Sequence, residues 1–137
     1  MYIPKKTRAR VYAKFNGRCA YTGTKLNDDW QIDHIKPLIR DCDGLPDPLI
    51  GGKNTIENMV PTQRIVNHYK GSLDLELFRN WYLAGLHERL KKLPKNPKVE
   101  KSKRRKKYLL EVAELFGITP DKPFSGKFYF ETLNKPL

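Results

Sequence analysis

The stretch Q-I-D-H-I-K-P, residues 31 to 37, sets a carboxylate, Asp33, beside an imidazole, His34, between two isoleucines. A carboxylate is a ligand for hard cations, and a histidine can accept a proton near neutral pH. In a regular strand the two side chains point to opposite faces, which leaves one of them among apolar neighbours. Burying a polar group without a partner costs roughly 1–3 kcal/mol. Either the pair is tied into hydrogen bonds, or the strand ends there and both groups reach one site. Two later stretches carry further candidates. G-G-K-N-T-I-E-N-M-V contributes Asn58, and N-H-Y-K-G contributes Asn67, His68, Lys70 and Gly71.

The elements that would position these residues follow from pattern. Pro4 at a helix start, Val11 and Phe15 four apart, and Asn16-Gly17 as a stop predict an N-terminal helix. C-A-Y-T-G-T reads as a tight turn. W-Q-I-D-H-I reads as a short strand closed by Pro37, and E-N-M-V-P as a second one ended by Pro61. Between them, residues 38 to 57 form a long irregular loop rich in Gly and Pro, of the kind that is functional or mobile.

A short helix capped by Thr62 and stopped by Gly71 comes next. Leu75, Phe78, Tyr82, Leu86 and Leu90 fall at helical spacing in a longer helix over 74–92. A linker with Pro94 and Pro97 leads into a basic run, then an amphipathic helix from Tyr108 to Phe116 and F-Y-F-E as a late strand. The fold class expected is α+β. The division falls into a core over 1–93 and, over 94–137, a basic linker with an accessory helix and strand.

Composition narrows the partners. The 137 residues suffice for one core, and 27 Lys and Arg against 15 Asp and Glu give a formal charge of +12. Such a balance favours an anionic polymer, because each neutralised phosphate releases counterions. Residues 95 to 107 concentrate this charge, with Lys103, Arg104, Arg105, Lys106 and Lys107 contiguous. Charge of this kind supplies affinity for nucleic acid, not sequence choice. Cys19 and Cys42 make no disulfide framework and fit a reducing, cytoplasmic location. There is no apolar run long enough to span a membrane.

The three polar stretches together resemble the HNH endonuclease family, whose core is the ββα-metal motif. D-H-I-K-P is similar to its D-H-hydrophobic-x-P. The Gly-Gly loop followed by Asn58 is similar to its middle element, and N-H-Y-K-G to its terminal [H/N]-x-x-K-G. The likeness covers Cys19 to Gly71. It implies that β-structure stops at His34, so that alternation lapses and both side chains serve one site. Asp33 and Asn67 would present oxygens to a single Mg²⁺, or to Mn²⁺ or another divalent ion, with His68 as the alternative ligand.

The resemblance gives His34 the role of general base and Asn58 that of bracing the loop that aims it. Lys70 would meet a phosphate or be solvated. The activity implied is hydrolysis of DNA phosphodiesters, most simply by nicking. It would leave 5′-phosphate and 3′-hydroxyl ends, in a setting such as a phage or mobile element, with a monomer favoured. The alternatives are a DNA-binding module that has lost catalysis and an RNA-directed nuclease.

Two departures stand out. Many members hold a structural zinc with two C-x-x-C pairs, and the matching positions here are Cys19, Thr22, Gln63 and Val66. One sulfur in four makes no tetrahedral site, so no structural zinc is expected. Packing by the N-terminal helix and the aromatic helix 74–92 would stand in for it. The second departure is P-L-I-R-D-C-D-G-L-P-D-P-L-I-G-G, longer than the usual link between the D-H motif and the Gly-Gly loop.

Overall fold

Helices and one two-stranded antiparallel sheet, an α+β combination, make up the computed structural model, which describes residues 2–133. Strand β1 (Gln31–His34) pairs with β2 (Met59–Thr62), in the register Gln31 with Thr62, Ile32 with Pro61, Asp33 with Val60 and His34 with Met59. Pro61 lies inside β2 rather than ending it. Its carbonyl accepts from Ala20 N at 2.9 Å, on the side away from β1. The missing N–H of the proline therefore costs the ladder nothing.

The chain divides into two compact units, one of residues 1–75 with 128–137 and one of residues 76–127. These divisions fall after Leu75 and after Lys127, whereas the sequence pattern suggested one after Leu93.

In the first unit, helix α1 (Lys5–Ala13) begins after Pro4 and unwinds through Asn16 and Gly17, both at positive φ. Its inner face buries Val11 and, just beyond its end, Phe15. Lys14 then reaches forward, donating from Nζ to the carbonyls of Met59, at 2.6 Å, and of Ile56. That clamp fixes the 3-10 turn Ile56–Asn58, which leads into β2. Helix α2 (Arg64–Lys70) packs on β1 and stops at Gly71, where φ is +57°. Gln63, not Thr62, occupies the N-cap position, and its side chain makes no cap bond.

Gln63 has another use. Buried at 3% exposure, it donates from Nε2 to Thr24 Oγ1 (3.0 Å) and to the Lys25 carbonyl (2.7 Å). Its Oε1 accepts from Asn27 N at 3.1 Å. Three bonds from one amide thus tie the 22–27 turn to the start of α2. Cys19, also buried, lies 3.7 Å from Thr62 Oγ1. The turn is held from its other side by the chain end: Tyr129 N and Phe130 N donate to the carbonyls of Tyr21 (3.1 Å) and Ala20 (2.9 Å). Phe128 is fully buried, its ring 5.3 Å from that of Tyr21.

The F-Y-F-E segment therefore serves this turn, but as a 3-10 turn (Tyr129–Thr132) instead of a strand. The aromatic helix over 74–92, expected to brace the same turn, lies almost wholly in the other unit. Gln63→Ala is expected to cost about 2–3 kcal/mol of stability, because it strands the Lys25 carbonyl and the Asn27 N–H. Denaturant unfolding checks this, and an unchanged midpoint would deny the amide its part in holding the turn.

In the second unit the pattern over 74–92 breaks into α3 (Leu75–Leu77), a π-helical stretch Phe78–Leu83, and α4 (Leu86–Lys91). The wider π turn brings Leu83, five residues after Phe78, onto the buried face and turns Tyr82 off it. Helix α5 spans Glu100–Phe116, so the basic run from Lys101 to Lys107 is helical and not a flexible lead-in. It packs on α4 and buries Leu109, Val112 and Ala113, and Gly117 ends it in the left-handed region at φ +70°.

Candidate active site

β1 ends at His34, and the side chains of Asp33 and His34 line one cleft of about 330 Å³ together with Asn67 from α2. The three residues come from a strand end and the middle of a helix packed on that strand. Both elements are short, so their relation is fixed by what they bury: Val66 and Lys70 from the helix, Asp33 from the strand, and Val60 from the neighbouring strand β2.

Asp33 is 7% exposed and has two partners on one oxygen. Tyr21 donates its hydroxyl to Oδ2, and Lys70 Nζ lies 3.0 Å from the same atom. Burial pushes the Tyr21 phenol well above its ordinary range, and the neighbouring Asp33 carboxylate pushes it further. The hydroxyl therefore stays protonated and remains a donor. The Tyr21 ring is itself wedged by Phe128 and Phe130, at 5.3 and 6.1 Å.

Lys70 was expected at a phosphate or in solvent. It is instead 1% exposed, with Nζ also 3.4 Å from the His34 carbonyl. The reason is the buried carboxylate: a charge left unpaired at that depth costs several kcal/mol, so the lysine turns inward to meet it.

His34 is partly exposed, and its Nε2 lies 2.9 Å from Asn54 Oδ1. With Nε2 donating to that amide oxygen, the basic lone pair sits on Nδ1. Asn58 does not line the cleft. Its Oδ1 accepts from Lys36 N, and its Nδ2 donates to the carbonyls of Lys36 and Lys53, each at 2.9 Å. Ile35 N also donates to the Asn58 carbonyl at 3.0 Å. One asparagine thus laces the segment leaving His34 to the segment that carries Asn54. It braces rather than reacts.

The Gly-Gly pair completes this lacing by close approach. A Cβ on Gly52 would stand 2.0 Å from the Lys36 carbonyl oxygen, and one on Gly51 2.5 Å from Ile39 N. No side chain fits at either place.

Asn67 donates from Nδ2 to Gln31 Oε1 at 2.7 Å. Its Oδ1 and the Asp33 Oδ1 have no donor among the described residues. Two unclaimed oxygens on one cleft, one of them charged, suit a hard divalent cation completed by water and substrate oxygen. His68, one residue further round the helix, is exposed and is not among the residues that line the cleft. Among the described residues no group of three or more His, Cys, Asp and Glu side chains converges. Any such ion would therefore rely on the Asn67 amide.

The basic candidates lie on α5 in the second unit. Lys103 pairs with Glu100 at 3.3 Å and Lys107 with Glu111 at 4.0 Å, while Lys106 Nζ donates to the Lys95 carbonyl at 2.8 Å. Arg104 and Arg105 are exposed and have no carboxylate partner among the described residues. Among the described residues no helix is long and apolar enough to cross a membrane.

Sequence reasoning overlooked Tyr21, Asn54 and the chain end at Phe128–Phe130. An aromatic residue in a turn and an asparagine in a Gly-rich loop carry no spacing signal of their own.

No family model matches the chain, and no curated protein matches it. Among solved structures the chain is similar to a part of the Type II-C Cas9 enzyme from Actinomyces naeslundii, with 20% identity and a TM-score of 0.47. The similarity covers 80% of this chain and 13% of that enzyme.

Proposed function

We propose that the protein is a divalent-cation-dependent nuclease of the HNH type that hydrolyses DNA phosphodiester bonds. The observation that carries this reading is the meeting of Asp33, His34 and Asn67 on one cleft, with Asp33 held by Tyr21 and Lys70. A module that only bound DNA would have no need of that trio.

Asp33 Oδ1 and Asn67 Oδ1 would hold the cation, Mg²⁺ or a comparable ion. When bound, it would polarise the scissile phosphate and stabilise charge on the departing oxygen. The remaining work falls to the chain itself. His34 is left off the cation in this reading and takes a proton from the attacking water at Nδ1. Asn54 holds the ring by Nε2, and Asn58 fixes the two segments that carry His34 and Asn54. Lys70 and Tyr21 hold Asp33 Oδ2 and so fix the direction of its carboxylate.

One such site attacks one strand at a time, so nicked circles are the expected first product. Incubating supercoiled plasmid with the protein and Mg²⁺, with and without chelator, tests the reading. Relaxed product that vanishes with chelator supports it. Binding without cleavage, over a range of divalent ions, would favour the catalytically silent module.

The α5 face supplies affinity in this reading. Replacing Lys103, Arg104, Arg105, Lys106 and Lys107 with Gln keeps helix propensity and spares Leu109 and Val112. If roughly four of those charges meet phosphates, the slope of log K against log salt should fall by about 3 to 4. Fluorescence anisotropy with a labelled duplex measures it. A folded variant with the wild-type slope would show the face to be solvated only.

A further inference from the structure

With Lys70 spent on Asp33, the cleft needs another cation to receive a polyanion. Among the described residues that line it, Arg40 is the one lysine or arginine. It comes from the 38–50 insertion, to which no role has been given above.

Three observations make Arg40 a built feature rather than a passing surface charge. First, its anchor is local: Nη1 donates to the Gly44 carbonyl at 2.9 Å, and no carboxylate partners it among the described residues. The other guanidinium N–H groups are therefore unclaimed among the described residues. Secondly, two of the loop's three acids, Asp41 and Asp47, are turned onto their own backbone. Asp41 Oδ1 accepts from Asp43 N and Leu45 N at 2.9 Å, and Asp47 Oδ1 from Leu49 N at 3.0 Å. They shape the loop, and among the described residues none of its carboxylates pairs with the arginine.

Thirdly, the loop is pinned. Arg40 and Pro46 form an antiparallel bridge, flanked by Asp41 N to the Leu45 carbonyl and Asp47 N to the Ile39 carbonyl, both at 2.7 Å. The close approach of Gly51 to Ile39 presses the base of this loop onto the segment that follows His34. The fold, not a flexible stem, delivers the guanidinium to the cleft.

We infer that Arg40 binds a phosphate of the substrate strand at the mouth of the cleft, and that the insertion serves to present it. A guanidinium offers two parallel N–H donors to a phosphate, and this fork fixes orientation as well as adding affinity. The inference rests on the reading of the cleft as a phosphodiester site, and it assigns the positive contact that Lys70 does not make.

Arg40→Gln, Arg40→Lys and Asp41→Ala test it in the full-length protein. The probe is a labelled DNA duplex, titrated over a KCl series in EDTA and then assayed for cleavage with Mg²⁺. Arg40→Gln should lower the salt slope by about 0.9, one phosphate's worth. It should also lower kcat/KM by about tenfold to a hundredfold, the size of a lost charge-assisted hydrogen bond. Arg40→Lys should restore the slope but only part of kcat/KM, since it keeps the charge and loses the fork.

Asp41→Ala removes the two bonds that shape the loop and keeps the guanidinium itself, so kcat/KM should fall part of the way toward that of Arg40→Gln. A wild-type slope and rate in Arg40→Gln would overturn the inference, and a wild-type kcat/KM in Asp41→Ala would overturn the presenting role of the insertion. If the wild-type protein fails to cleave, the nuclease reading falls. The slope measured in EDTA still decides whether Arg40 meets a phosphate.

Discussion

His34→Ala is expected to lower the DNA cleavage rate by at least about a hundredfold, the usual minimum for loss of a general base. Duplex affinity should stay near that of the wild type, because a base acts on the attacking water and adds little to ground-state binding. The geometry makes the substitution a clean one. The side chain is partly exposed at the end of β1, so truncation opens no core cavity. The main-chain parts of residue 34 remain: its pairing with Met59 and its carbonyl near Lys70 Nζ. Asp33 keeps both of its partners. The comparison is of single-turnover rates at pH 7 and of anisotropy titrations in EDTA. Cleavage close to wild type would remove His34 from the chemistry, and a parallel loss of affinity would make it a binding residue instead.

That Asp33, His34 and Asn67 share a cleft is what the family resemblance implied, and the local order of strand end and helix is compatible with it. Asp33 and His34 are neighbours, and a strand that ends at His34 frees both. Asn67 arrives with a helix that must pack on that strand to bury Val66. What each residue does once there was less legible, because it depends on depth. Lys70 sits in a motif that reads the same whether the side chain faces water or turns inward. Only the burial of Asp33, a tertiary fact, sends it inward.

Tyr21 shows the same limit at longer range. Its use as a donor to Asp33 depends on Phe128 and Phe130, which come from the far end of the chain. Two of the differences in the elements have local causes. F-Y-F-E has the aromatic content of a strand, and its first N–H groups do pair with the 20–21 backbone, but the segment then coils into a 3-10 turn. Over 74–92 the hydrophobic pattern is helical, yet a π turn alters which leucine faces inward, and period counting at 3.6 residues does not register such a shift.

The pairing of Lys70 with Asp33 gives the largest stability effect. Lys70→Met should destabilise the protein by about 3–5 kcal/mol, the range found when one partner of a buried ion pair is removed. The lost attraction is the smaller part of this cost. The larger part is the Asp33 carboxylate, left deep in the protein with only the Tyr21 hydroxyl to offset its charge. Neutralising both members should therefore recover most of the loss. Asp33→Asn combined with Lys70→Met keeps an oxygen for Tyr21 to donate to and leaves no charge unpaired. Replacing a buried pair with neutral groups of similar volume is often close to neutral.

Activity should separate from stability in this pair. The double variant should fold and stay inactive, because an amide at position 33 is a poorer ligand for a hard cation than a carboxylate. Chemical denaturation of the wild type, Lys70→Met and the double variant, followed by the plasmid assay on each, gives both readings. A single variant as stable as the wild type would mean that Lys70 does not carry Asp33's charge. An active double variant would mean that Asp33 does not hold the metal.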